Sequence, residues 1–120
     1  MTRKEITNFR NLYFSNWVRE KLPDSSTGYS ASDLDFILWN WKTKKIMLIE
    51  LKTRMSYPRK GQKMMWNLLH NWIKNGIDND WKYLGFNLIQ FENSGFEDGK
   101  CFLNGCEISE NELIHILSFN

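Results

Sequence analysis

The stretch DFILWNWKTKKIMLIELK, running from Asp35 to Lys52, decides how this chain is read. It holds two apolar runs, Asp35–Trp41 and Lys45–Leu51, separated by the polar Lys42-Thr43-Lys44. Aromatic and β-branched residues on either side of a short polar break are the pattern of a β-hairpin. Both runs are apolar at odd and even positions. That predicts strands covered on both faces, central in a sheet with helices packed on it.

A loop centred near Thr43 brings position 35 opposite positions 50 to 52. Glu50 and Lys52 are two apart and share a face of their strand. Directly opposed residues also share a face. A register that pairs Asp35 with Glu50 or Lys52 therefore gathers two carboxylates and one ammonium on one side. A register that pairs Asp35 with Leu51 scatters them, because a one-residue slip flips the face. The sequence leaves that register open. Two acids at the ends of apolar strands are costly unless their charge is offset. Mg²⁺ offsets it well, taking one or two carboxylates together with waters and phosphate oxygens. The plainer alternative is a salt bridge from Lys52 to Glu50 or Asp35. Asp33 is a second candidate for the ligand, weaker because Asp35 begins the uninterrupted apolar run.

Working outward, Thr2 to Leu22 reads as a helix. Ile6, Phe9, Tyr13 and Trp17 fall on one stripe, and Pro23 stops it. After the hairpin, Pro58 and Gly61 mark a loop. A second helix is predicted from about Gln62 to Asn75, with Met65, Leu69, Trp72 and Ile73 as its apolar stripe and Gly76 as its stop. Tyr83–Phe91 reads as a third strand, and Phe102–Cys106 as a tight hairpin with Asn104-Gly105 at its tip. Ser109 with Glu112 is a capping box, opening a final helix that carries Leu113, Ile114, Ile116 and Leu117. The order predicts an α/β fold: a three-layer-like sandwich with a central mixed sheet, in one domain spanning 1–120.

Composition narrows the class. At 42% hydrophobic and 25% charged, the 120 residues suit a soluble globular domain. No apolar stretch approaches the length that spans a bilayer, and the first residues lack a signal peptide. The expected setting is the cytoplasm, without a membrane partner. Cys101 and Cys106 form no CxxC pair and read as free thiols in a reducing compartment. The six Trp are expected mostly in the core, although Trp also stacks on bases. Charge is uneven: residues 1–76 hold 14 Lys/Arg against six Asp/Glu, and residues 77–120 hold two against eight. Between Lys42 and Lys63 lie eight basic residues and one acid, Glu50. That asymmetry suggests a polyanion on one side of the molecule, against the alternative of a solvated basic loop. Lys42, Lys44, Lys45, Arg54, Arg59, Lys60 and Lys63 are the candidate phosphate contacts.

The DFILW…LIELKT stretch, followed by GQKMMWNLL and Gly76, resembles the PD-(D/E)xK nuclease superfamily. More narrowly, it resembles its small VRR-NUC and Holliday-junction-resolvase-type members. The likeness covers about Ser32 to Gly76. It implies a restriction endonuclease-like fold and an Mg²⁺- or Mn²⁺-dependent DNA endonuclease, structure-selective and resolvase-like. The alternatives are a flap- or end-acting nuclease of the same fold, or a nucleic-acid-binding module without catalysis. The resemblance makes Asp35 and Glu50 metal ligands, with the Leu51 carbonyl beside them. Lys52 becomes the catalytic lysine and Gln62 an auxiliary residue at the helix start. The Pro of the family pattern is absent, since Leu34 precedes Asp35. Many members carry an acid in the first helix, for which Glu20 is the candidate, with Glu5 and Asp24 as alternatives. The implied partner is DNA, branched junctions among its forms, and a two-fold homodimer suits symmetric cleavage.

Other residues have simpler readings. Gln62 faces inward with Trp66, Leu69 and Ile73, where a helix-start hydrogen bond to backbone also accounts for it. His70 and His115 read as surface residues. Thr53 and Arg54 either meet a phosphate or end the strand in solvent.

Overall fold

The structure is a computed structural model that describes residues 12–28, 30 and 34–120. The chain divides into two compact units, residues 1–33 and 34–120. In the first, α1 covers Leu12–Lys21. Residues 2–11 of the predicted first helix lie outside the described residues. The rings of Phe14 and Trp17, three residues apart on α1, stack at 5.8 Å. The last turn closes through Leu22 N to Val18 O at 3.1 Å, and Pro23 ends it. Asp24 then caps a short 3₁₀ turn, Ser25–Thr27, by accepting from the Ser26 N–H at 2.9 Å and from the Ser26 hydroxyl.

The second unit contains β1 (Phe36–Asn40), β2 (Lys45–Lys52), α2 (Lys60–Gly76), β3 (Lys82–Phe91), β4 (Cys101–Leu103), β5 (Cys106–Ile108) and α3 (Glu110–Leu117). The five strands form one sheet in sequence order. β1 is antiparallel to β2, β2 parallel to β3, and β4 and β5 follow antiparallel. The expected α/β fold with a mixed sheet is present.

Strand parity sorts the two layers. Met47 and Ile49 of β2 join Ile89, Cys101 and Leu113 in one core beneath α3. Leu48 and Glu50 point to the other face, where Trp66 of α2 stacks on Phe86 of β3 at 4.9 Å. β2 is therefore buried on both sides, with four consecutive residues, Met47 to Glu50, at 2–3% exposure. β1 departs from expectation. It is an edge strand with a single neighbour, and Phe36, Ile37 and Trp39 are exposed.

One irregularity keeps α2 on its face. Ile46 pairs with Tyr83 but Leu48 pairs with Phe86, so two steps of β2 span three of β3. The extra residue falls around Gly85, whose φ of +92° belongs to the left-handed region. The bulge is braced by the Asn87 amide, which donates to Gly85 O at 3.2 Å. Tyr83 and Phe86, three apart, can then both face α2. Tyr83 meets His70, with Nδ1 and Oη 3.0 Å apart. His70 is thus half-buried against the sheet, not on the surface as its place in the helix pattern suggested. Burial pushes the Tyr83 hydroxyl above its ordinary pKa.

Two further helix readings are corrected. Trp72 is 59% exposed, because Trp66, Leu69 and Ile73 fill the sheet-facing stripe of α2. On α3, Ile114 and Ile116 are exposed while Leu113, buried, and Leu117, half-buried, four apart, face the core. The Ser109–Glu112 capping box forms as read, and Asn104 and Gly105 both take positive φ in the β4–β5 turn. Both cysteines are free. Cys101 is buried, which pushes its thiol up, and Cys106 is exposed.

Gly85→Ala tests the bulge. A Cβ there meets nothing closer than His70 Cε1 at 3.8 Å, so the cost is backbone strain alone. A loss of about 1–2 kcal/mol is expected, seen as a melting temperature several degrees lower. An unchanged melting temperature would mean the bulge relaxes without Gly.

Candidate functional site

The hairpin register is Phe36 opposite Ile49, Leu38 opposite Met47 and Asn40 opposite Lys45. Continued by one residue, it sets Asp35 opposite Glu50. This is the register that gathers the two acids and Lys52 on one face. The ladder itself stops at Phe36, and Asp35 bends away from it. Its Oδ2 accepts from the Leu51 N–H at 2.8 Å. That N–H points toward β1 beyond the last paired residue and would otherwise lack its ladder partner. In an extended strand a residue's N–H and C=O point to the same side. The Leu51 carbonyl therefore faces the Asp35 side as well.

Glu50 is 3% exposed, sits opposite Leu88 of β3, and shares its face with Leu48 and the half-buried Lys52. A carboxylate that deep needs hydrogen bonds or positive charge around it. Among the described residues, no group of three His, Cys, Asp or Glu side chains converges on a metal position. The donors at the strand end are two carboxylates and one backbone carbonyl. These are hard oxygen ligands, and they fit a small divalent cation whose remaining positions are taken by water or phosphate oxygens.

Past Lys52 the chain makes a sharp turn. Arg54 and Met55 both have φ of +52°, a costly conformation for residues with a Cβ. Ser56 closes it by donating its N–H and hydroxyl to Thr53 O at 3.1 and 2.9 Å, and three bonds tie it to β3 and the residues after it: Arg54 N to Asn93 O at 2.9 Å, Met55 N to Phe91 O at 2.9 Å, and Gln90 Nε2 to Ser56 O at 3.1 Å. Gln90 is 4% exposed and pairs in register with Lys52, on the same face. The sequence reading missed it. Gln90 is one of two amides, with Asn87, inside the otherwise apolar LGFNLIQF, but the bulge at Gly85 shifts the alternation and hides which face it takes. After the turn, the buried Pro58 leads into α2. Gln62 spends its Oε1 on the Arg59 N–H at 3.2 Å, the helix-start bond that was its simpler reading.

The basic residues separate into two groups. Arg54, Arg59, Lys60 and Lys63 follow Lys52 at the acid end of β2 and are exposed. Lys42, Lys44 and Lys45 stand at the other end of that strand, seven residues from Lys52, roughly 23 Å away. They do not surround the acids. Lys44 pairs with Asp80 at 2.7 Å, and Lys45 donates to Phe119 O at 3.3 Å. Glu20 and Asp24 belong to the first unit, where Asp24 is held below the usual carboxylate range by Ser26. Glu5 and Asp33 lie outside the described residues, and His115 is exposed.

No family model matches the chain, and no solved structure matches it. It is similar to an uncharacterized protein of Archaeoglobus fulgidus, with 28% identity over 105 residues. That similarity covers 86% of this chain and 67% of the archaeal protein.

Replacing Gln90 by Leu leaves Ser56 O without its donor beside the strained turn. A loss of about 1–3 kcal/mol is expected, with faster amide hydrogen exchange at Arg54 and Met55 than at the β4–β5 turn. Equal acceleration at both turns would remove the special role of Gln90.

Proposed function

We propose that this chain is a divalent-cation-dependent nuclease that hydrolyses DNA phosphodiesters at the end of the β1–β2 hairpin. The observation that carries this is the register. The ladder ends with Phe36 opposite Ile49, the register whose continuation would set Asp35 beside Glu50, on the face of Lys52, at the end of a strand buried on both sides. Such a grouping is what the PD-(D/E)xK resemblance requires of these three residues, and the mixed sheet between α2 and α3 is compatible with a restriction endonuclease-like fold.

Asp35, Glu50 and the Leu51 carbonyl would hold Mg²⁺ or Mn²⁺. When bound, the ion supplies Lewis-acid polarisation of the phosphodiester and a more acidic water. Lys52 donates N–H bonds to the attacking water or to a non-bridging phosphate oxygen, balancing the charge that grows there. The water oxygen gives up a proton to solvent as it bonds to phosphorus, the bridging P–O bond breaks, and the leaving oxygen takes a proton from solvent. Glu50 and Lys52 enter this arrangement already ordered by the buried strand, and Asp35 by its bond to Leu51. Arg54, Arg59, Lys60 and Lys63 at the same end attract the phosphate backbone. Among the described residues no element is left to read base edges, which favours recognition of DNA structure over sequence, with branched junctions first. A two-fold dimer belongs to the same proposal. A module that binds without cleaving is the second reading. The Asp35–Leu51 bond favours it, since a strand-end cap alone gives an acid at position 35 a purpose.

Asp35→Asn, Glu50→Gln and Lys52→Met should each lower the cleavage rate by about 10²–10⁴ with far-ultraviolet circular dichroism unchanged. Double variants should lose little more than single ones. Wild-type protein is assayed with Mg²⁺, Mn²⁺ or EDTA on a four-way junction, a flap, single strands and linear duplex of shared sequence. Paired nicks across the junction support the resolvase-like reading. Loss of nucleotides from ends transfers the assignment to an end-acting nuclease. Metal-independent binding with no cut product establishes the non-catalytic module.

A further inference from the structure

Most of the tryptophans are not core residues. Trp39 and Trp41 are 60% and 70% exposed, at the end of the sheet opposite Asp35 and Glu50. The turn that follows Trp39 and carries Trp41 is held firmly. Asn40 Oδ1 accepts from the Lys42 and Thr43 N–H groups at 2.9 and 3.1 Å, and Asn40 O accepts from Lys44 N at 2.8 Å. Lys42 Nζ stands 5.5 Å from the centre of the Trp41 ring. Trp39 pairs with Ile46, on the face of α2, whereas Lys45 and Lys82 pair on the other face with Met47, so the lysines of the turn itself are Lys42 and Lys44. Asp80 is already committed to Lys44.

We propose that this turn is a second nucleic-acid contact, a stacking platform for an unpaired strand. The proposal rests on the reading of the chain as one that acts on nucleic acid. Two exposed indoles bring no core stability here, and large exposed aromatics grouped together mark a binding surface. An indole face accepts any base by stacking, and neighbouring cations take the phosphates of the same strand. Bases inside a duplex are stacked on one another and cannot reach the rings, so the chemistry selects an unpaired strand. Lys42, 5.5 Å from the centre of the Trp41 ring, supplies the cation that selects an anionic occupant. The side-chain hydrogen bonds of Asn40 order the turn in advance, so little entropy is lost when a strand docks. A strand-length away, the acid end of β2 can then act on the paired part of the same molecule.

The test is fluorescence anisotropy of the full chain in EDTA, with a labelled 20-nucleotide oligo-dT and a duplex of equal length. Wild type should favour oligo-dT. Trp39→Ala and Trp41→Ala should each weaken that binding by about five- to a hundredfold, while Trp41→Phe keeps most of it. Lys42→Ala should reduce the salt slope by about 0.7. Trp41 lies in an exposed turn, so its variant reports binding even where Trp39→Ala disturbs the strand. Equal oligo-dT affinity in wild type and both Ala variants overturns the platform, as does a preference for duplex. A change in sedimentation without a change in affinity also overturns it, and would assign the indoles to a protein interface. A wild-type chain that binds through Trp41 yet cuts nothing keeps the platform and discards the nuclease. An active nuclease whose Trp variants bind normally does the reverse.

Discussion

Burial of β2 on both faces is the constraint from which the rest of the second unit follows. Each residue of that strand must be assigned to α2 or to α3, and parity makes the assignment. Met47 and Ile49 go to the α3 side, and Leu48 and Glu50 to the α2 side. A slip of one residue would carry apolar groups and a carboxylate to the wrong layers together. The register with β1 is therefore enforced by the whole strand. Asp35 inherits its place from that enforcement and secures it through Leu51 N.

A deeply placed Glu50 is not what stability alone would select. An apolar residue there would extend the layer made by Leu48, Trp66 and Phe86 without the cost of a buried carboxylate. The same end of the sheet carries a second departure from ordinary backbone, the consecutive left-handed Arg54 and Met55. Buried charge and backbone strain meet next to one lysine. Gln90 stands between them in the sheet, and its amide ties the strained turn to the neighbouring strand.

The basic half of the sequence illustrates how a hairpin redistributes charge. Lys42 and Lys63 are close along the chain, but β2 runs between them and holds the two groups of cations at opposite ends. One group flanks the acids. The other lies at the end of the sheet that carries the exposed indoles, and part of it is already bound to Asp80 and to the Phe119 carbonyl.

The sequence by itself determined the elements whose signals are local. The strands around Lys42-Thr43-Lys44, the Asn104-Gly105 turn, the Ser109–Glu112 cap and the stop at Pro23 each depend on residues within a few positions. The pairing of Asp35, Glu50 and Lys52 was legible as one of two registers. Tertiary structure chose between them, because the choice depends on which layers bury β2. It also made β1 an edge strand, since an apolar run does not reveal how many neighbours it has. Gln90, His70 and the indoles of Trp39 and Trp41 were decided in the same way. Gln90 reaches the Lys52 face, and Tyr83 meets His70, only because one extra residue at Gly85 resets the alternation of β3. Side-chain periodicity predicts a face within an element. Which face is covered, and by what, is a property of contacts between residues far apart in the chain.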